Sequence, residues 1–276
     1  MTNKVLIFDS GVGGLSVLKE IHQQQPQLNL YYLMDNAAFP YGTKADDYLT
    51  NRIIDVCSSA VAELEPDILV IACNTASTLA LPQLRQLLNI PVVGVVPAIK
   101  TAANLSQTKV IGLVATPATV SRPYTDNLVN DFARHCQVYR LGSSDLVYWA
   151  EGYINHGLLP NTEQLYEHLQ PWLESATNIS HVVLGCTHFP LLNKQLKQLW
   201  PNIAWVDSGN AIAMRVASLL ACPSEKSTGS IGSLNLYWTD ESNKPTGVVG
   251  FLNQLGQLNE QRFVEIKRSF THKAFV

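Results

Sequence analysis

Residues 67–77 read DILVIACNTAS, and residues 181–190 read HVVLGCTHFP. Each begins with an unbroken apolar run of strand length. Such a run has neither the alternation of a half-exposed strand nor the length of a helix, and it fits a strand covered on both faces, as in a parallel sheet. Each run ends in a small residue (Ala72 or Gly185), then a cysteine (Cys73 or Cys186), then hydroxyl or amide side chains, then a helical stretch. Outward from the first segment, strand-like runs lie at 4–8, 30–34 and 91–96. Outward from the second they lie at 109–115, 138–141 and 204–206, with LNLYW at 234–238. Helical patterns separate them at about 15–21, 46–64, 76–88, 122–135, 145–155, 162–176, 191–199, 210–220 and 246–255, and a loose stretch covers 223–233. Alternating strand and helix with continuous apolar strands predicts an α/β protein of parallel sheets covered by helices on both sides. The similarity of the two cysteine segments suggests an internal duplication.

Composition narrows the function. The chain has 276 residues, 46% hydrophobic and 15% charged, with net charge −3. It is long enough for one large or two small domains, and it offers no broad basic face for nucleic acid. No apolar run approaches the roughly 18 residues of a membrane span. The start, MTNKVLIFDS, enters a strand directly and shows no signal-peptide pattern, so a cytoplasmic protein is expected. Five cysteines, at 57, 73, 136, 186 and 222, form no CxxC pair. In a reducing compartment each is a small core residue or a chemical group.

Open α/β sheets bind ligands beyond the carboxyl ends of their strands. Cys73 and Cys186 occupy that place, and a helix N-terminus behind each is expected to favour the reactive thiolate. The same N–H groups, with Asn74, Thr75 and Thr187, can hold a carboxylate. Asp9 and Ser10 end the first strand; Asp9 could orient an ammonium group, assist a base or cap the next helix. Gly11, Gly13 and Gly14 allow a tight turn or close approach of backbone to ligand. Phe39-Pro40-Tyr41-Gly42 follows the second strand and brings a phenol near. His188 stands two residues past Cys186, where it could move a proton. A Cys-x-His metal site with Cys73 as third ligand does not match the usual zinc spacings. Gly11-x-Gly13 with Asp35 also suggests a dinucleotide fingerprint, but Ser16 replaces the third glycine.

The segments IFDSGVGGLSV (7–17), FPYG (39–42), ACNTAS (72–77), ATPATV (115–120), LGCTHFPLL (184–192) and VDS (206–208) resemble the glutamate racemase family over nearly the whole chain. The resemblance implies two similar parallel-sheet α/β domains facing each other across a central cleft. One would hold 1–97 and 207–276, the other 98–206. It implies interconversion of L- and D-glutamate, feeding peptidoglycan synthesis, with no pyridoxal phosphate, metal or nucleotide. Cys73 and Cys186 would be the acid/base pair, assisted by Asp9, Glu151 and His188. Asp9, Ser10, Pro40, Tyr41, Gly42, Asn74, Thr75, Thr116, Thr119, Thr187 and His188 would bind substrate, and Asp35 would contribute. The stretch before Glu151 departs from the family pattern. Some members carry an N-terminal extension linked to activation by a cell-wall precursor; without it, such activation is not expected here. No nucleic-acid or membrane partner is expected. A homodimer is compatible with the resemblance. Alternatives are a racemase of aspartate or another acidic amino acid, a nucleotide-binding oxidoreductase, and a non-catalytic binder of acidic amino acids.

Overall fold

The computed structural model describes residues 3–220 and 231–266. In chain order the first domain supplies β1 (Lys4–Asp9), α1 (Leu15–Gln24), β2 (Asn29–Met34), α2 (Asp46–Leu64), β3 (Ile68–Ile71), α3 (Asn74–Leu87) and β4 (Val92–Gly94). The second supplies α4 (Ile99–Leu105), β5 (Val110–Ala115), α5 (Pro117–Ser121), α6 (Pro123–Phe132), β6 (Gln137–Gly142), α7 (Asp145–His156), α8 (Thr162–Ser175), β7 (His181–Leu184), α9 (Asn193–Leu199) and β8 (Ala204–Val206). The chain then returns to the first domain through α10 (Gly209–Leu219), β9 (Leu234–Trp238), α11 (Thr246–Leu255) and β10 (Leu258–Phe263).

All strand pairs are parallel. The larger sheet runs β10-β9-β2-β1-β3-β4 and the smaller β6-β5-β7-β8. Read in one direction, β4-β3-β1-β2 and β8-β7-β5-β6 have the same order, so β3 corresponds to β7 and β1 to β5. The two cysteine segments therefore occupy equivalent places, as a duplication requires. Burial on both faces explains the continuous apolar strands. In β1, Val5 and Ile7 pack with Leu18 of α1, Val216 of α10 and Leu252 of α11, while Leu6 and Phe8 pack with Ile53 of α2 and Leu84 of α3. In the second sheet, Val114 and Val182 face Ala150 of α7 and Leu169 of α8. Leu113 and Val183 face Ala102 of α4.

Several elements depart from the sequence expectation. The helix expected at 122–135 is α6, Pro123–Phe132, and the five-residue α5 precedes it; Arg122 between them is extended (φ −76°, ψ 142°), since proline disfavours helical backbone in the residue before it. The helix expected from 191 begins as a 3-10 turn, Phe189–Leu192, before α9. The strand expected at 91–96 is shorter. Short α4, shorter α5 and half-exposed β10 do not stand out in the sequence, since none presents a long apolar period. Cys222 and most of the expected loose stretch lie outside the described residues.

Candidate active site

The four central strands end in functional side chains: Asp9 and Ser10 after β1, Cys73 after β3, Thr116 after β5, Cys186 after β7. These ends border one cavity of about 270 Å³ between the two sheets. The first domain lines it with Ser10, Phe39, Pro40, Tyr41, Gly42, Thr43, Cys73, Asn74 and Thr75. The second contributes Thr116, Pro117, Thr119, Ser144, Val147, Tyr148, Cys186, Thr187 and His188. Both sulfurs belong to residues 8% exposed, and both open on this space. The lining holds no Lys, Arg, Asp or Glu side chain. A ligand carboxylate here meets hydroxyls, the Asn74 amide, backbone N–H groups and His188. The volume suits an amino acid and falls below the 300–1,000 Å³ of typical drug-sized pockets. Among the described residues no group of three His, Cys, Asp or Glu side chains is arranged to hold a metal ion.

Cys73 is the N-cap residue of α3. Ser10 Oγ lies 3.9 Å from its sulfur. Burial and the neighbouring Asp9 push the Cys73 thiol well above its ordinary pKa, against the lowering effect of the Ala76 N–H. The sequence argument for a thiolate at a helix N-terminus is thus corrected here: desolvation outweighs the helix end. It is corrected differently at Cys186, where a turn and the 3-10 segment Phe189–Leu192 intervene before α9. His188 is the support there, with Nδ1 3.6 Å from Cys186 Sγ and Nε2 2.8 Å from Glu151 Oε1. Burial lowers the His188 pKa, but its bonds to Cys186 and Glu151 prevail and hold it well above the ordinary value. A cationic His188 donates from one nitrogen to Cys186 and from the other to Glu151.

Glu151, on α7, does not border the cavity; it stands behind His188 and accepts the Val12 N–H at 2.9 Å across the domain boundary. Sequence pattern alone gives this residue a solvated surface role, because nothing in it shows that the helix face meets another domain. Asp9 is likewise fully buried behind the lining. It accepts the Gly11 N–H at 2.8 Å and the Thr187 hydroxyl at 3.1 Å. It does not cap α1, whose N-cap residue is Gly14.

The glycines at 11, 13 and 14 are not in left-handed conformation. A Cβ on Gly11 would lie 2.2 Å from Glu151 Oε1; one on Gly13 would lie 2.6 Å from both His188 Nδ1 and Thr187 Oγ1. The missing side chains let the first-domain loop lie against the second domain's acid–base residues. Ser16, at the third glycine position of the rival fingerprint, places its hydroxyl 2.8 Å from both Gly13 O and Thr187 O. Asp35 is also taken: it pairs with Arg52 (2.6 Å) and accepts the hydroxyls of Tyr41 (2.6 Å) and Thr239 (2.5 Å). The Tyr41 phenol is thereby turned toward Asp35 while the residue still lines the cavity.

The sequence reading did not single out Thr43, Ser144, Val147 or Tyr148. The last two lie one turn before Glu151 on α7, and helical spacing puts them on its face.

Burial is the largest influence on Asp9 and raises its pKa to about 6 from the ordinary 3.8, despite His188, Gly11 and Thr187. The folded state therefore holds this proton more tightly than the unfolded state. The resulting stability is complete below pH 3.8 and is lost as pH rises through 6. Asp9→Asn should exceed the wild type at pH 8 by about 3 kcal/mol, with the difference vanishing near pH 4. Urea unfolding at the two pH values checks this; an equal difference at both would contradict it.

A family model described as Asp/Glu/Hydantoin racemase matches residues 7–216. Glutamate racemase of Pectobacterium atrosepticum is 50% identical over 218 residues, 79% of this chain and 76% of that protein. The Shewanella loihica enzyme of the same name is 49% identical over 242 residues, 87% and 89% of the two chains. Among solved structures, Escherichia coli glutamate racemase in complex with L-glutamate and the activator UDP-MurNAc-ala aligns with a TM-score of 0.88 at 39% identity, over 97% of this chain and 100% of that one. Glutamate racemase from Aquifex pyrophilus aligns at 0.71 and 32%, over 94% and 98%. On sequence and fold together, the chain belongs to the Asp/Glu/Hydantoin racemase family.

Proposed function

We propose that this chain interconverts L- and D-glutamate without a cofactor, supplying D-glutamate for peptidoglycan synthesis. The observation that carries the reading is a pair of thiols, one from each sheet, opening on one cavity of amino-acid size. Glutamate is preferred over aspartate because relatives at about half identity carry that name. Inversion needs a base on one face of the α-carbon and an acid on the other. In one direction the Cys186 thiolate takes the α-proton while the Cys73 thiol donates its own to the opposite face; one C–H and one S–H bond break as one S–H and one C–H form. The reverse direction exchanges the roles. Asn74, Thr75 and Thr187, with neighbouring backbone N–H groups, face the α-carboxylate onto which charge spreads, and they act best in a water-poor site. Asp9 acts from behind on Cys73: its charge keeps that proton on sulfur until the reaction demands it.

Domain limits of 1–97 with 207–276 and 98–206 fit the partition of strands between the sheets, and Ser208 Oγ donating to Val96 O ties the two crossing segments. No described helix is long and apolar enough to cross a membrane. A cytoplasmic location agrees with the substrate's origin, and a homodimer is tested by sedimentation. Incubation with each enantiomer of glutamate and of aspartate in deuterated water tests the main reading. Loss of optical activity with deuterium at the α-carbon of glutamate supports it; absence of exchange refutes it. The activator in the Escherichia coli structure gives this assay a second arm, run with and without UDP-MurNAc-ala.

A further inference from the structure

Glu151 has two carboxylate oxygens, and three partners fix them. Oε1 accepts the Val12 N–H and faces His188 Nε2; Oε2 accepts Asn155 Nδ2 at 2.9 Å. Asn155 lies four residues on, one turn along α7, so helical spacing sets this bond. The turn that carries it is itself clamped. A Cβ on Gly247 of α11 would lie 2.2 Å from Ile154 O and 2.4 Å from Asn155 Cα, so α11 meets α7 backbone to backbone. The first domain thus holds α7 at two places, the Val12 N–H at Glu151 and Gly247 at Asn155.

We infer that Asn155 is a positioning residue for the acid–base pair on the Cys186 side: its amide holds the Glu151 carboxylate in the orientation that His188 requires. This rests on the racemase reading above. Asn155 is outside the cavity lining and does not touch substrate. Its effect passes through Glu151 and His188 to Cys186, a carboxylate–imidazole–thiol chain whose last member performs the transfer. Released from Asn155, the carboxylate can rotate away from His188, and the imidazolium then loses the anion that sustains it. The titratable groups that face this carboxylate are His188 from the β7–α9 loop, Asp9 from β1 and Tyr32 from β2, with Cys186 beyond His188. Helix α11 brings none, since residues 246–255 contain no ionisable side chain.

The test compares wild type, Asn155→Leu and Asn155→Gln in the intact chain. Asn155→Leu should lower kcat about tenfold, and the alkaline limb of its pH profile should move to lower pH as His188 loses its anchor. The deuterium isotope effect with [2-²H]glutamate should rise for one enantiomer only, the one whose α-proton goes to Cys186. Asn155→Gln, which keeps an amide donor, should recover part of the rate. A fall in activity with unmoved pH limbs and isotope effects, or a drop in melting temperature that accounts for the loss, would reduce Asn155 to a structural residue and overturn the inference. So would wild-type kinetics in Asn155→Leu. Absence of α-hydrogen exchange in the wild type would instead remove the racemase reading itself.

Discussion

Cys73→Ser and Cys186→Ser each lower glutamate racemisation by roughly 10²–10⁴-fold, the usual contribution of a general acid or base. A serine hydroxyl occupies nearly the same space but is far harder to ionise than a thiol. Each variant keeps the other thiol, so each should still remove the α-hydrogen from one enantiomer of a substrate analogue bearing a leaving group at the next carbon. The two variants should act on opposite enantiomers. Cys57, buried among α2 and the first sheet, and Cys136, half-buried at the edge of the second domain, serve as controls. Their serine variants should turn over normally, with a stability cost confined to Cys57. Steady-state rates and chiral product analysis check all four. Equal elimination from both enantiomers by one variant would remove the two-face assignment.

Gly13→Ala should lower kcat/KM about a hundredfold, the scale on which a displacement near 1 Å acts on catalysis. The added carbon would stand 2.6 Å from His188 Nδ1 and from Thr187 Oγ1. His188 cannot swing freely, because Glu151 holds its other nitrogen. The domains must part locally, or the imidazole must leave Cys186. Gly250→Ala on α11 meets nothing within 4 Å and should behave as wild type. The glycines at 11 and 13 therefore guard a contact between domains, where the sequence alone suggests a turn or a close approach to ligand.

That difference marks how far the sequence carries. The central strands were legible because their residues are buried on both faces, which leaves apolar runs such as VLIF and ILVI without interruption. The cysteines were legible because they end equivalent strands. Ser10, Asn74, Thr75, Thr187 and His188 line one cavity, with Asp9 buried behind them. Features that depend on depth or on the opposing domain were not legible. Cys73 stands at a helix N-terminus, yet its burial beside Asp9 keeps it protonated. Glu151 has the sequence surroundings of a surface residue, yet it accepts bonds from the other domain. Helix α5 is only five residues long and so carries no apolar period. Strand β10 joins the sheet edge with half of its residues exposed and so leaves no periodic trace.

A crystal structure with D-glutamate bound tests the two-thiol geometry most directly. The sulfurs of Cys73 and Cys186 should lie on opposite sides of the substrate α-carbon, each within about 3–3.5 Å of it. A substrate bound with both sulfurs on one side of that carbon, or with another side chain nearer to either face, would contradict it.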